Sequence, residues 1–364
     1  MIEALKKHID ASLENFLEKI KREYKLELVH PILYASIKEF ALREGKRIRP
    51  LLLILSYKGY APKGTKFPQS FYHAATCIEL LHNFMLIHDD IIDRSKLRRG
   101  KPTLHRLLGK IVKTKDQEKL GYDLSIIAGD IVYALAIDAF LSIKESPLRK
   151  EMALKYFIQT ATFTAMGEFI DTLHGVENIS KITEKDVFLN YTLKTARYTF
   201  DCPLVVGAML AGADKKDIRR LSALGLKVGQ AFQIQDDIIG IFDTQKNIGK
   251  SILSDLAESK KTLLVCHAYA KLDAKGRKKF LNYFLKPKKN YQDLVAVRKI
   301  FISSGSLQHS LAEIKKRIRQ AHRILKQLKM KSEYKKTIEG CLFSLFKHSE
   351  KIAATYGLKD ASVV

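Results

Sequence analysis

Cysteine is scarce in this chain, with four among 364 residues. Cys77, Cys202, Cys266 and Cys341 lie far apart and match no metal-binding or disulfide spacing, which argues against a zinc finger or a disulfide framework. Proline and glycine number 8 and 19, and no window repeats, so collagenous, linker-rich and low-complexity readings fail. Alternating β-branched runs joined by Asn-Gly turns are missing. No apolar run reaches the ~18–20 residues that span a bilayer. Residues 1–25 carry charges every few positions and have no apolar h-region, so no signal peptide is expected. Together these features lead us to expect a soluble, cytoplasmic protein in a reducing compartment.

Apolar residues make up 46% of the chain and charged residues 28%, enough apolar surface for a large core and too much for a disordered chain. Lys and Arg total 64 against 39 Asp and Glu, a formal charge of +25. The lysines are spread over amphipathic segments rather than gathered in a tail. No RNP-like aromatic motif or glycine-rich RNA clamp accompanies them, so nucleic acid is not an expected partner. The charge reads first as solvated helix faces, with a polyanionic ligand or an anionic lipid surface as functional alternatives.

Apolar residues recur at helical spacing almost everywhere. Helices are expected at roughly 2–24, 30–43, 47–59, 67–93, 118–142, 148–174, 184–198, 201–212, 215–243, 260–272, 291–302, 304–328 and 332–354. Breaks are expected at Pro31, Ala61 to Gly64, Leu97 to Pro102, Pro147 and Pro287. The segments 67–93, 118–142 and 215–243 are apolar nearly all round, as helices in the middle of a large bundle are. No linker divides the chain, so one all-α domain over 1–364 is expected, a single large helical bundle.

Two acidic clusters stand out. His88-Asp89-Asp90-Ile91-Ile92-Asp93 ends a long apolar helix, and Asp89 and Asp93, at i and i+4, share a face. Like charges at that spacing repel, and acids near a helix C-terminus oppose the macrodipole. A solvated acidic helix end is one reading. A divalent cation is the other, and paired carboxylates suit Mg²⁺ bridging to substrate phosphates. Gln233-Ile234-Gln235-Asp236-Asp237-Ile238-Ile239-Gly240-Ile241-Phe242-Asp243 repeats the scheme, with Asp236 and Asp243 at i and i+7. Two such clusters on buried helices are hard to explain structurally, because unpaired carboxylates there would be costly. Facing each other across a bundle, they would cage several Mg²⁺ ions and a diphosphate.

Basic groups follow in a telling order. Gly45-Lys46-Arg47-Ile48-Arg49-Pro50 opens a helix, whose N-terminus favours anions. Arg98-Arg99-Gly100-Lys101-Pro102-Thr103 follows the first acidic cluster. Gly249-Lys250 and Lys260-Lys261-Thr262 follow the second. Arginine binds phosphate through a bidentate fork.

With Lys194-Thr195-Ala196 and Gly167-Glu168-Phe169-Ile170-Asp171 added, these motifs resemble, in order and spacing, those of the trans-isoprenyl diphosphate synthases, the polyprenyl synthetase family. The resemblance runs from about 40 to 265; the helices expected at about 290–355 are merely compatible. It implies about a dozen mostly antiparallel helices around a central pocket, usually as a homodimer. It also implies head-to-tail condensation of isopentenyl diphosphate with allylic diphosphates (dimethylallyl, geranyl, farnesyl). Carried onto this chain, it gives Asp89 and Asp93, with Asp90 nearby, two Mg²⁺, and Asp236, helped by Asp237, a third; Mn²⁺ would substitute. Arg98, Lys194, Gln233, Lys250 and Lys260 would contact the allylic substrate, with Thr195 beside the forming carbocation. Lys46, Arg49, His82 and Arg99 would clamp isopentenyl diphosphate.

The chain departs from the family pattern at three points. Gly240 stands where a third Asp is frequent, which leaves the role of Asp243 open. Glu168 stands where Gln is usual, and Ser259 where Gly often precedes the lysine. Phe84 and Met85 lie just over one turn before Asp89. In the resembling family, an aromatic there, with two residues between the acids as in Ile91-Ile92, marks C20 synthases. Geranylgeranyl diphosphate is therefore the expected product, with farnesyl diphosphate as runner-up because Met85 adds bulk. The alternative of another class is a non-catalytic regulatory subunit, which tends to lose the first acidic cluster or its arginines; both are intact here. The Lys-rich stretches after residue 262 are read as solvated faces, with weak membrane-surface association as the minority reading.

Overall fold

Leu5, Ile9, Leu13, Phe16, Leu17 and Ile20 recur at three- and four-residue intervals, and all are buried along one face of α1 (Ile2–Glu23). The same logic builds most of the chain. The computed structural model describes residues 1–64, 67–243 and 253–356. Among these the fold is all-α, apart from one two-residue β pairing.

After α1 come α2 (Pro31–Ala41), α3 (Ile48–Tyr60), α4 (Tyr72–Ile92), α5 (Gln117–Leu141) and α6 (Pro147–Val176). α7 (Glu184–Asn190) runs through a π-helical segment, Tyr191–Asp201, into α8 (Cys202–Leu210). Then follow α9 (Lys215–Phe242), α10 (Leu263–Lys271), α11 (Ala274–Phe284), α12 (Tyr291–Ser303), α13 (Ser306–Lys326), α14 (Ser332–Phe343) and α15 (Lys347–Thr355). The chain divides into two compact units, one of Met1–Phe157 with Pro203–Ala213, the other of Ile158–Cys202 with Asp214–Val364.

In the first unit, Pro31 occupies the first turn of α2 while the His30 ring accepts the Ile32 N–H at 3.3 Å. α4 is buried over most of its length, including Cys77, Leu80 and Leu81. It packs between α3 and α5, and Ser56 on α3 donates to the Leu204 carbonyl of α8 at 2.6 Å. By length and composition α5 is long and apolar enough to cross a membrane, although Asp123, Asp130 and Asp138 interrupt its apolar run. It leaves Ile126 and Ile127 44% and 56% exposed.

Between α4 and the short helical turn Leu104–Leu108, the expected break is a β-hairpin pairing Leu97 with Pro102 and Arg98 with Lys101. Arg99 and Gly100, at φ +55° and +73°, form its turn with the two positive φ angles of type I′. The strands are two residues long, too short to leave an alternation in sequence.

In the second unit, the expected helices 184–198 and 201–212 join through the π segment. That winding is uncommon and is enriched at functional sites. Two glycines hold it. A Cβ on Gly167 of α6 would lie 2.4 Å from the Lys194 nitrogen, and one on Gly229 of α9 would lie 2.3 Å from the Ala196 Cα. Backbone therefore packs on backbone on both sides of Lys194–Ala196. α11 falls between the expected helices 260–272 and 291–302 and is an addition to them. Asp273 caps it through the Gly276 N–H at 2.7 Å, and Phe280 and Phe284 bury its inner face. The expected helix 332–354 is interrupted by a single 3₁₀ turn at Ser344–Phe346.

Candidate active site

In the first unit, the C-terminal end of α4 presents Asp89 and Asp93 half-buried, while Asp90 turns inward with 1% of its surface exposed. The hairpin delivers Arg98 onto this cluster. Its Nε lies 2.9 Å from Asp90 Oδ1 and its Nη2 3.2 Å from Asp89 Oδ2. Burial pushes the Asp90 carboxyl up to about 6, against the pull of Arg98. Asp90 Oδ2 is buried with no hydrogen-bond partner among the described residues. Carboxylate oxygens grouped in this way fit a hard divalent cation such as Mg²⁺.

The hairpin is anchored by Arg43, which donates to the carbonyls of Arg98 and Pro102 at 3.3 and 2.8 Å. Arg99 donates to the Arg43 carbonyl at 3.0 Å. Its guanidinium carbon would stand 3.2 Å from a Cβ on Gly45, so the glycine gives Arg99 its seat. His82 is buried, and its pKa is driven well below the ordinary value by burial and then by Arg49, Arg99, Arg98 and Arg47. The structure thus gathers Arg49, His82 and Arg99 into one positive patch. Lys46 is exposed just before α3. Arg47 plays a different part: buried, with a left-handed backbone, it forms ion pairs with Asp10 at 2.7 Å and with Glu79.

Further back along α4, the Phe84 ring meets His88 edge-on at 4.7 Å and lies 4.9 Å from the Tyr133 ring of α5. Met85 beside it is half-buried. Burial, with Cys77 nearby, raises the Tyr133 hydroxyl.

The second unit holds the other expected residues around a pocket lined by Asp171, Lys194, Thr195, Gln233, Asp237 and Lys260, among others. A directed hydrogen-bond chain runs through it. The Thr195 hydroxyl donates to Gln233 Oε1 at 2.6 Å, and the Gln233 amide donates to Asp237 Oδ1 at 3.0 Å. The fully buried Tyr191 hydroxyl donates to Asp237 Oδ2 and accepts the Leu263 N–H at 2.9 Å. Lys194 reaches Asp171 at 2.7 Å and Glu168 at 2.9 Å, so the unusual glutamate is paired with a lysine. Burial alone would raise the Asp171 carboxyl. Lys194, Lys260 and a 2.8 Å bond from Asn190 outweigh it, and the pKa is lowered.

Asp236 is exposed near the end of α9. The expected shared face does not extend to Asp243, which lies past the helix end with extended backbone, is buried and pairs with His348. Gln235 is likewise structural, bonding the Leu345 carbonyl at 2.9 Å. Ser259 has φ +52°, the left-handed conformation that glycine adopts without strain. Its hydroxyl donates to the Phe284 carbonyl at 3.0 Å. Lys250 lies outside the described residues.

Sequence reasoning gave no role to Tyr191, Asn190 or Asp171. Asp171 carried a faint signal, sharing a face with Glu168 three residues earlier. Tyr191 carried none, because a buried aromatic on a helix reads as core.

The polyprenyl synthetase family model matches residues 30–301. A short chain isoprenyl diphosphate synthase from Methanocaldococcus jannaschii is 31% identical over 298 residues, covering 82% of this chain and 84% of the relative. A geranylgeranyl diphosphate synthase from Methanosarcina mazei is 30% identical, covering 83% of each chain. A geranylfarnesyl diphosphate synthase from Aeropyrum pernix is 31% identical, covering 78% and 84%. Among solved structures, a geranylgeranyl pyrophosphate synthase from Corynebacterium glutamicum, complexed with isoprenyl diphosphate and magnesium, superposes with a TM-score of 0.86 at 24% identity, covering 95% and 99%. By sequence and fold, the chain belongs to the polyprenyl synthetase family and is a prenyltransferase, a trans-prenyl diphosphate synthase.

Proposed function

We propose that this prenyltransferase condenses isopentenyl diphosphate head to tail with allylic diphosphates and releases geranylgeranyl diphosphate. The observation that carries the C20 reading is Phe84 lying against Tyr133 one turn before Asp89. Two rings in tilted contact would make a floor for a growing apolar chain, and Leu81, Leu80 and Cys77 lie a turn deeper. The Methanosarcina relative supports C20, and the Aeropyrum relative shows that longer products occur among similar chains. Met85 beside Phe84 favours farnesyl diphosphate as the second reading.

In this reading Asp89 and Asp93, with Asp90 nearby, would hold divalent metal, and Asp236, helped by Asp237, would hold another. Magnesium bound there supplies positive charge that neutralises a departing diphosphate. Arg98, Lys194 and Lys260 add cationic side chains for the allylic diphosphate. The Thr195 hydroxyl oxygen, fixed by its bond to Gln233, stands beside the developing carbocation. Arg49, His82 and Arg99 hold the second diphosphate, and neutral His82 adds a hydrogen bond without adding charge. Exclusion of water would protect the cation until the isopentenyl double bond attacks. The proton is then lost to the diphosphate itself.

The enzyme works as a homodimer on this proposal. The exposed Ile126 and Ile127 of α5, and Met166 and Phe169 of α6, are the side chains that a second copy would cover. The test is incubation with isopentenyl diphosphate and each allylic primer, followed by chromatography of the dephosphorylated products. A C20 alcohol as the main product supports the reading. A C15 product favours the second reading, and no prenyl product rejects both.

A further inference from the structure

His267 on α10, His309 on α13 and Glu184 at the start of α7 converge at a place that prenyl transfer does not use. One ligand atom of each lies within 4.8 Å of the other two. The imidazoles stack with centroids 4.1 Å apart and planes 16° from parallel, and His309 Nε2 lies 3.1 Å from the Glu184 carboxylate. All three residues are half-buried, and the two rings would have to turn out of their stack to aim both lone pairs at one ion. We propose that Glu184, His267 and His309 form a zinc-type site, with water completing a tetrahedral shell.

The chemistry of the donors carries this. Two imidazole nitrogens and one carboxylate oxygen are a known zinc ligand set, with metal–nitrogen bonds of about 2.0–2.1 Å. Tetrahedral ligands at that length stand roughly 3.3 Å apart, so the cluster needs to contract by about 1.5 Å at most. An outer partner is already present: His267 Nδ1 lies 3.1 Å from the Ser306 hydroxyl, which also meets Ser304 Oγ at 2.8 Å. With Nδ1–H donating to Ser306, Nε2 of His267 keeps the lone pair that a metal takes. One shared cation would suit both rings and the carboxylate.

The site would clamp three helices. α7 is held at its start by the Thr183–Asp186 capping box and continues directly into the segment carrying Lys194 and Thr195. Metal at Glu184 would therefore tie that segment to α10 and α13.

The test uses the full-length chain, stripped with chelator and titrated with Co²⁺ in large excess Mg²⁺, which occupies the carboxylate clusters. The expected result is the intense visible spectrum of tetrahedral Co²⁺, saturating at one equivalent and bleached by Zn²⁺. It should vanish in His267→Gln/His309→Gln and persist in Asp89→Ala. Ser306→Ala should weaken Co²⁺ binding about tenfold. Glu184→Gln, on a half-exposed side chain, should also weaken it and serves if the double variant does not fold. No tetrahedral spectrum, or one that survives loss of both histidines, would overturn the site and leave the prenyl-transfer reading intact.

Discussion

The Tyr191 hydroxyl donates to the Asp237 carboxylate from a fully buried position on the π segment and accepts the Leu263 N–H from the first turn of α10. One phenol therefore fixes a carboxylate of the second acidic cluster against the backbone that follows Lys260. Tyr191→Phe leaves the Leu263 N–H buried and unsatisfied and removes a donor from Asp237. A stability loss of about 1–3 kcal/mol follows, read by urea denaturation. Turnover should fall as well, because Gln233 and Thr195 lose the end of their hydrogen-bond chain. Unchanged stability and turnover would show that Asp237 is held by other contacts.

His82 makes stability pH-dependent in a definite direction. Its folded pKa lies below the ordinary 6.5, so below that pH the unfolded chain binds a proton that the folded chain refuses. Stability should fall as pH drops from about 6.5, at a limit of roughly 1.4 kcal/mol per pH unit. His82→Gln removes this term, so the stability gap between the two proteins should change in favour of the variant between pH 7 and 5. Parallel denaturation curves across that range would contradict the assignment.

The two diphosphates should separate by mutation. Arg99→Ala should mainly raise KM for isopentenyl diphosphate, whose phosphate stays bound throughout. Lys194→Ala should act on the allylic side and on kcat, because it meets charge that grows on ionisation. Initial rates with each substrate varied in turn decide this. Equal effects of both variants on both substrates would reject the division.

Product length should follow the Phe84–Tyr133 contact. Phe84→Ala opens space above Leu81 and Cys77 and should lengthen the main product by at least one isoprene unit, measured under excess isopentenyl diphosphate. An unchanged length distribution in a folded, active variant would remove Phe84 from the floor.

Much of this was legible in sequence, for identifiable reasons. The heptad-like apolar spacing of α1, the nearly continuous apolar surface of α4 and the helical apolar spacing of α9 fix helix type and approximate ends. Motif order put Asp89, Asp90 and Arg98 close together in the chain, but the ion pairs of Arg98 with both aspartates were not part of that reading. The hairpin was hidden because two-residue strands have no period, although Arg99-Gly100 supplied its turn. The π segment was hidden because its surroundings, such as Gly167 and Gly229 packed against it, lie elsewhere in the chain. Asp243 misled because an i+7 relation holds only while the helix lasts, and α9 ends one residue earlier. Tyr191 and Arg47 take their roles from buried partners distant in sequence, which no local pattern displays.

Metal dependence of prenyl transfer, measured on wild type, Asp89→Ala and Asp236→Ala, bears most directly on the proposed chemistry. Isopentenyl and farnesyl diphosphates are incubated with Mg²⁺ and then with excess chelator. Activity should require Mg²⁺ or Mn²⁺. Each substitution should lower turnover by several orders of magnitude with helical content retained, since one lost metal-held charge costs several kcal/mol of transition-state stabilisation. Full activity in chelator, or a fully active Asp89→Ala protein, would contradict it.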